Sequence, residues 1–401
     1  MKDFIYTESA RNLFTYDCLD LILPPLPIRS CLYQLQPLHV GKPMVESLTS
    51  YIIRLSNVHS VSTGSLISKI VTECLDKEYI SYGSSKGLHK LYSRTSALNG
   101  IGVMAVDWVQ AIQTLTLRNE LSRLTLLNWR SVFPSRKLLR QKRAWCSYCY
   151  QEWLLSGEII CEPLLWAVDS VKLCHKHGTV LVMECSHCER ELPWLDWWSK
   201  PGYCSKCKQW LGLDLRDKSK KIFRADELKW QSWATDNIGG LLSFNRQNLL
   251  SKETVAKTIS ACIQQTTKGN VAEFARMLNL PKNTVWLWQS GRNLPTLDKL
   301  MKICYLVQKP LVSFLTEEFS AEEFPKVSGL SSRVSSKAVR PPSRLFNSSK
   351  IAGALEAELL CHGYPPSKTK EVANRLEYDV RLLREHFPEQ CRSISRKYAC
   401  Y

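Results

Sequence analysis

The chain has 401 residues, 44% of them hydrophobic and 23% charged, enough for two to four globular domains. Its 54 Lys and Arg outnumber 37 Asp and Glu, a formal charge of +17 that points to a polyanionic partner, nucleic acid first among them. No signal-like core follows Met1 and no apolar run is long enough to cross a bilayer, so the expectation is a cytoplasmic protein with reduced thiols and no membrane partner.

Residues 1–140 read as an N-terminal arm followed by a helical domain. The run Leu23-Pro24-Pro25-Leu26-Pro27 cannot continue a helix and suits an extended strap. Leu48, Tyr51, Ile52 and Leu55 then fall at i, i+3, i+4 and i+7, one face of a helix. Ser62-Thr63-Gly64-Ser65 opens a second helix carrying Leu66, Ile67 and Ile70. The pair permits a helix-turn-helix or a plain helical hairpin. Ser81 to Gly100 reads as loop, and Val106 to Leu127 as helix. The basic run Arg136 to Arg143 suits either phosphate contact or a solvated charged face.

Besides Cys161, residues 141–215 hold seven cysteines in tight spacings: Cys146-x2-Cys149, Cys174-His175-Lys176-His177, Cys185-x2-Cys188 and Cys204-x2-Cys207. Two such knuckles enclose a tetrahedral ion, and zinc prefers thiolate and imidazole in that geometry. The assignment is two Zn2+ sites: Cys146, Cys149, Cys174 and His177 for one, and Cys185, Cys188, Cys204 and Cys207 for the other. His175 and His187 stay outside, because four better-spaced groups complete each ion. A full shell leaves no position for water, so both ions are expected to be structural. Leu164 to Val168 is an apolar bridge within the first site, and Thr179 to Met183 a β-like run between the sites.

The succession Arg143-Ala144-Trp145-Cys146-x2-Cys149, Leu173-Cys174-His175-Lys176-His177-Gly178 and Cys185-x2-Cys188 resembles the TniQ family. So does the opening segment Glu46-Ser47-Leu48-Thr49-Ser50-Tyr51 with Arg54-Leu55. The resemblance covers roughly residues 35 to 215. TniQ and its relative TnsD are target-selection proteins of bacterial transposons. The resemblance therefore implies docking onto the AAA+ ATPase TnsC, indirect recruitment of the transposase, and a place at the bacterial nucleoid. Some members bind DNA directly, whereas others ride on a CRISPR effector complex.

Residues 216–322 turn helical. Lys252 to Gln265 has Val255, Ala256, Ile259 and Ile263 on one face, and Val271 to Gly291 follows with a small Ala275 and a turn at Asn279. This segment resembles the repressor-type helix-turn-helix family, in which the second helix enters the major groove. The resemblance implies that Lys282, Asn283, Thr284, Trp286 and Gln289 face DNA, with Arg292 on phosphate and Trp288 in the core. Residues 323–350 form a Ser/Pro linker whose Arg333, Lys337, Arg340 and Arg344 suit a mobile arm on the backbone or minor groove, or a simple spacer.

Residues 351–401 repeat the logic. Val372, Ala373 and Leu376 would pack under Leu382, Leu383 and Phe387, Asp379 would cap the second helix, and Arg381 and Arg384 would project toward base edges. The likeness is again to a helix-turn-helix, with Glu377 where the turn usually has glycine. Arg392, Arg396 and Lys397 are expected on phosphates. The fold class is thus mainly α and multidomain. The expected function is a non-enzymatic selector that binds double-stranded DNA sequence-specifically, the alternative being an adaptor between a CRISPR effector and TnsC. A nuclease or transposase would need a carboxylate cluster for paired metals, and none stands out.

Overall fold

The computed structural model describes residues 29–75, 91–92, 94–213, 223–244, 251–316, 348–361, 366–376, 378 and 380–399. The proline strap, most of the loop before Gly100, the linker arginines and lysine at 333, 337, 340 and 344, and Glu377 and Asp379 lie outside them. The chain forms two compact units, Met1–Ser331 and Ser332–Tyr401. Both are helical, and pairing between extended segments is limited, among the described residues, to isolated bridges. No described helix is long and apolar enough to cross a membrane.

The first unit is built around α1, Leu48–Val58. Ser47 caps it, its Oγ accepting from the Ser50 amide at 3.2 Å. Periodicity suggests one apolar face, yet every residue from Leu48 to Ser56 is buried. Such a helix must satisfy its polar side chains internally. Thr49 exchanges hydrogen bonds with Asn99, and the Ser56 hydroxyl bonds both the Ile53 carbonyl and Thr63. Arg54 pairs with Glu46 at 2.7 Å and donates to the Gln36 carbonyl at 2.8 Å. Glu46 also accepts from the Ser50 hydroxyl at 2.9 Å and the Leu38 amide at 3.2 Å. Burial pushes the Glu46 carboxyl up, and the Arg54 guanidinium opposes that shift.

The second helix begins as α2, Thr63–Leu66, capped by Ser62, and passes through a π-helical stretch, Ile67–Val71, into α3, Thr72–Leu75. Its first turn does not face solvent. Gly64 donates to the Trp197 carbonyl at 3.0 Å, and Thr63 Oγ1 to the Ser199 carbonyl at 3.1 Å. A Cβ at Gly64 would fall 2.1 Å from the Trp197 indole. Next, α4, Val103–Thr116, buries Trp108, Ile112 and Leu115. The helix expected to reach Leu127 stops earlier, at Leu117, which is left-handed with φ 53°. A left-handed leucine costs about 1–2 kcal/mol. The two 3-10 turns that follow, Leu121–Leu124 and Leu127–Trp129, offset this by burying Leu121, Leu124 and Trp129.

After the cysteine-rich region, whose short helices are α5, Ser147–Ser156, and α6, Leu164–Ala167, comes α7, Ala225–Ser243. It packs on α6 and on the last helix of the unit, so the core is continuous from Leu32 to Leu315. The remaining helices are α8, Lys252–Thr267, α9, Val271–Met277, α10, Lys282–Gln289, α11, Leu297–Leu306, and α12, Leu311–Thr316. The Asn237 side chain ties α7 to α12 by accepting from the Leu311 amide at 2.8 Å.

In the second unit, α13, Ser348–Leu360, α14, Thr369–Leu376, α15, Val380–His386, and α16, Pro388–Ala399, share one small core. Ile351, Leu355, Val372, Ala373, Leu383, Phe387, Cys391 and Ile394 fill it. Leu382, expected inside, sits outside this cluster, whereas Leu383 of α15 and Phe387 just beyond that helix lie within it.

Candidate metal centres and nucleic-acid interface

Two donor sets converge, and they are the two assigned from spacing: Cys146, Cys149, Cys174 and His177, and Cys185, Cys188, Cys204 and Cys207. Within each set the ligand atoms lie within 4.8 Å of one another. A tetrahedral ion with metal–sulfur bonds of about 2.3 Å requires sulfur–sulfur edges of roughly 3.8 Å, and sulfur–nitrogen edges of roughly 3.6 Å. The separations match: Cys149 to Cys174 is 3.5 Å, Cys185 to Cys207 is 3.7 Å and Cys188 to Cys204 is 3.8 Å. His177 Nδ1 lies 3.6 Å from Cys146 Sγ, 3.3 Å from Cys149 Sγ and 3.7 Å from Cys174 Sγ. A disulfide would need about 2.0 Å. Both sets can hold a metal ion with four protein ligands each.

The backbone explains why these spacings work. Cys146 is the N-cap residue of α5 and Cys149 lies in its first turn, where the helix dipole favours thiolate. The other three knuckles close alike, with the residue after the second ligand left-handed: Gly178 at φ 62°, Glu189 at 55° and Lys208 at 65°. Isolated bridges, Trp145 to Val182 and Leu173 to Val180, clamp the first site, and Glu184 to Glu191 and Tyr203 to Trp210 the second. The β-like run at Thr179 to Met183 supplies Val180 and Val182 to the first clamp.

Second partners orient the imidazole. His177 turns Nδ1 to the thiols, and its Nε2 lies 3.3 Å from Glu152 Oε2. A carboxylate behind a ligating histidine fixes its tautomer and raises its basicity. Ligand spacing does not single out Glu152, although it lies one helical turn past Cys149 on α5. His175, read as outside the shell, lies 3.0 Å from Asp236 of α7 and so fastens the first knuckle to the helical region behind it. Burial pushes the Cys185 thiol up, and a bound cation would oppose that shift.

The basic run before Cys146 divides. Arg136, Lys137 and Lys142 are exposed, but Arg140 and Arg143 are buried. Arg140 donates to the Val168 carbonyl at 3.1 Å and to that of Val171. Arg143 lies 2.5 Å from Glu162 Oε1 and donates to Tyr150 at 3.0 Å and to the Tyr203 carbonyl at 3.2 Å. The Glu162 amide in turn donates to the Ser50 hydroxyl at 2.9 Å. A chain of buried polar groups thus runs from Arg54 and Glu46 through Ser50 and Glu162 to Arg143 and the second metal set. Such networks rigidify a core only when their members are paired.

In the helical region, α9 and α10 meet through a turn at Asn279, whose φ of 54° is the left-handed value expected of it. The second helix starts at Lys282, just after Pro281. A proline holds φ near the helical value and has no amide to leave unpaired, which suits it to a helix start. Val285 and Trp288 are buried; Lys282, Asn283, Trp286 and Arg292 are exposed, with Thr284 and Gln289 half-buried. The Arg292 guanidinium lies 4.8 Å from the centre of the Trp286 ring. Gly291, with φ 66°, ends α10.

In the second unit Arg381, Arg384, Arg392 and Arg396 are exposed, Arg392 being 3.0 Å from Glu389. Lys397 has another task. Its ammonium donates to the carbonyls of Leu359, at 2.8 Å, and Cys361, closing the C-terminal end of α13. Unpaired carbonyls at a helix end attract a cation, and this ammonium is engaged there.

Residues 37–181 match the family model for TniQ. No curated protein matches the chain.

Proposed function

We infer that this chain, whose residues 37–181 match the TniQ family model, serves transposition and selects the insertion site by reading double-stranded DNA itself. The observation that carries the reading is α10. Its first turn presents Lys282 and Asn283 to solvent, and Trp286 with Arg292 lies on the same exposed side. A helix N-terminus bearing lysine, asparagine and a cation-clad aromatic suits a major groove. The second unit supplies a further set, Arg381 and Arg384 on α15 with Arg392 and Arg396 on α16. The linker cations Arg333, Lys337, Arg340 and Arg344 would follow the backbone between the two readers. In this reading 216–322 and 351–401 are the DNA-reading modules. Residues 1–140 and 141–215 form the scaffold that engages TnsC and, through it, the transposase.

The two metal ions are Zn2+ in this reading. The all-thiolate set and the set of three thiolates with one imidazole are the donor chemistry zinc selects, and a full shell assigns the ions to folding.

The test is binding of the full chain to DNA spanning the element's insertion site, against scrambled duplex at physiological salt. Arg384→Ala should weaken the site by about 1–3 kcal/mol at one base position. Arg396→Ala should reduce binding to all sequences and lower the salt slope by about one, whereas Lys397→Ala should leave that slope unchanged. Equal affinity for site and scrambled duplex would overturn the reading and favour an adaptor carried by a CRISPR effector complex.

A further inference from the structure

Of thirteen tryptophans only two are exposed, Trp286 at 44% and Trp198 at 60%. Each has a cation against its ring. Trp286 belongs to the DNA surface proposed above, but Trp198 has no place in it. It lies on the second metal module, where Lys208 Nζ sits 5.1 Å from its ring centroid.

The ring is held out by construction. In the dipeptide Trp197-Trp198 the first indole turns inward onto Gly64, and the second faces solvent. Asp196 fastens this turn to the last knuckle. Its carboxylate accepts from the Trp197 amide at 2.8 Å and the Ser205 hydroxyl at 2.9 Å, and pairs with Lys206 at 2.6 Å. The Asp196 amide donates to the Ser199 hydroxyl at 2.9 Å. Left-handed closure at Lys208 then brings that side chain over the indole. Lys200, two residues past Trp198 in the chain, is exposed, with its ammonium 4.6 Å from the Tyr203 ring. The acidic residues of this module, Glu184, Glu189 and Glu191, belong to the other knuckle, and Asp196 is already matched by Lys206.

A preorganised π-face with lysines at its border matches the two chemistries of an unpaired nucleic-acid strand. Each base offers a face to stack on, and each nucleotide a phosphate. A duplex offers phosphates but keeps its base faces within the stack, so it would leave the indole unused. We propose that Trp198, Lys200 and Lys208 form a binding platform for an unpaired DNA strand, with Trp198 stacking on a base and the two lysines against flanking phosphates. DNA is favoured over RNA as the source because the TniQ domain ties the chain to transposition. The proposal does not depend on how α10 or α15 meet duplex DNA.

Fluorescence anisotropy of the full chain with labelled oligothymidine, oligouridine and duplex insertion-site DNA tests it. Trp198→Ala should weaken oligothymidine binding by about five- to a hundredfold while duplex binding stays within about twofold. Trp198→Phe should retain most of the affinity, and Lys208→Gln should lower the salt slope for oligothymidine by about one. Metal content and circular dichroism report whether each variant is folded. The idea is overturned if Trp198→Ala binds oligothymidine as the parent does, or if duplex affinity falls as far as single-strand affinity. A Trp198 dependence seen with oligouridine alone also overturns it.

Discussion

Replacing Gly64 by alanine should destabilise the protein, although the same change in most helices does the opposite. Alanine ordinarily stabilises a helix by roughly 0.5–1 kcal/mol over glycine, because it restricts the unfolded chain. At Gly64 the new Cβ would lie 2.1, 2.4 and 2.5 Å from three atoms of the Trp197 indole. Carbon atoms rest at about 3.5–4.0 Å, so the indole or the helix must retreat by roughly 1.5 Å. Overpacking of this kind costs about 1–3 kcal/mol, which exceeds the helical gain. Urea unfolding followed by tryptophan emission measures the difference. Removing the indole in the double variant Gly64→Ala/Trp197→Ala should return at least about 1 kcal/mol as coupling between the sites. A Gly64→Ala protein as stable as its parent would refute the contact, and with it the view that α2 is seated on the second metal module.

Three further outcomes follow from the interior. Arg54→Ala should cost about 3–5 kcal/mol in urea unfolding, since it strands the buried Glu46 carboxylate, whereas Arg54→Met with Glu46→Leu should recover most of the loss. Cys204→Ser should lower the bound ions from two to one by native mass spectrometry, and hydrogen exchange should show faster opening of α2 with it. Unchanged exchange there would mean the module and the helix are independent. Ion retention should fall as pH falls, because thiols and imidazole must give up protons to bind metal and regain them in acid. Equal retention at pH 7 and pH 4 would contradict a thiolate shell.

What was legible in the sequence was local. Four ligands per site follow from C-x2-C spacing because a knuckle is a few residues long and its geometry is self-contained. The left-handed Asn279 and the buried Val285 and Trp288 follow from turn chemistry and helical period in the same way. The misreadings concern residues whose fate depends on distant partners. Arg140 and Arg143 look like two more cations in a basic run, and only Val168, Val171, Glu162 and Tyr203 reveal them as interior groups. The second partner of Lys397, the carbonyl end of α13, is likewise distant in sequence. The burial of α1 on all sides was invisible for the same reason, since its polar positions become core positions only through Asn99, Glu162 and Gln36.

The buried polar chain from Arg54 to the Tyr203 carbonyl also sets a timetable for the nascent protein. Its first members leave the ribosome roughly 150 residues before its last, which at about 5–20 residues per second is a wait of about 7–30 s. For more than half of that interval α1 has neither Arg143 nor Glu162 beside Ser50, and until its end no complete metal module under α2, so it cannot settle into its final burial. A transcript that stops near residue 140 would release a helix with an orphaned interior, a natural substrate for proteases. Synthesis of the cysteine region, and the metal it collects, is therefore the step that commits the front of the molecule to its fold.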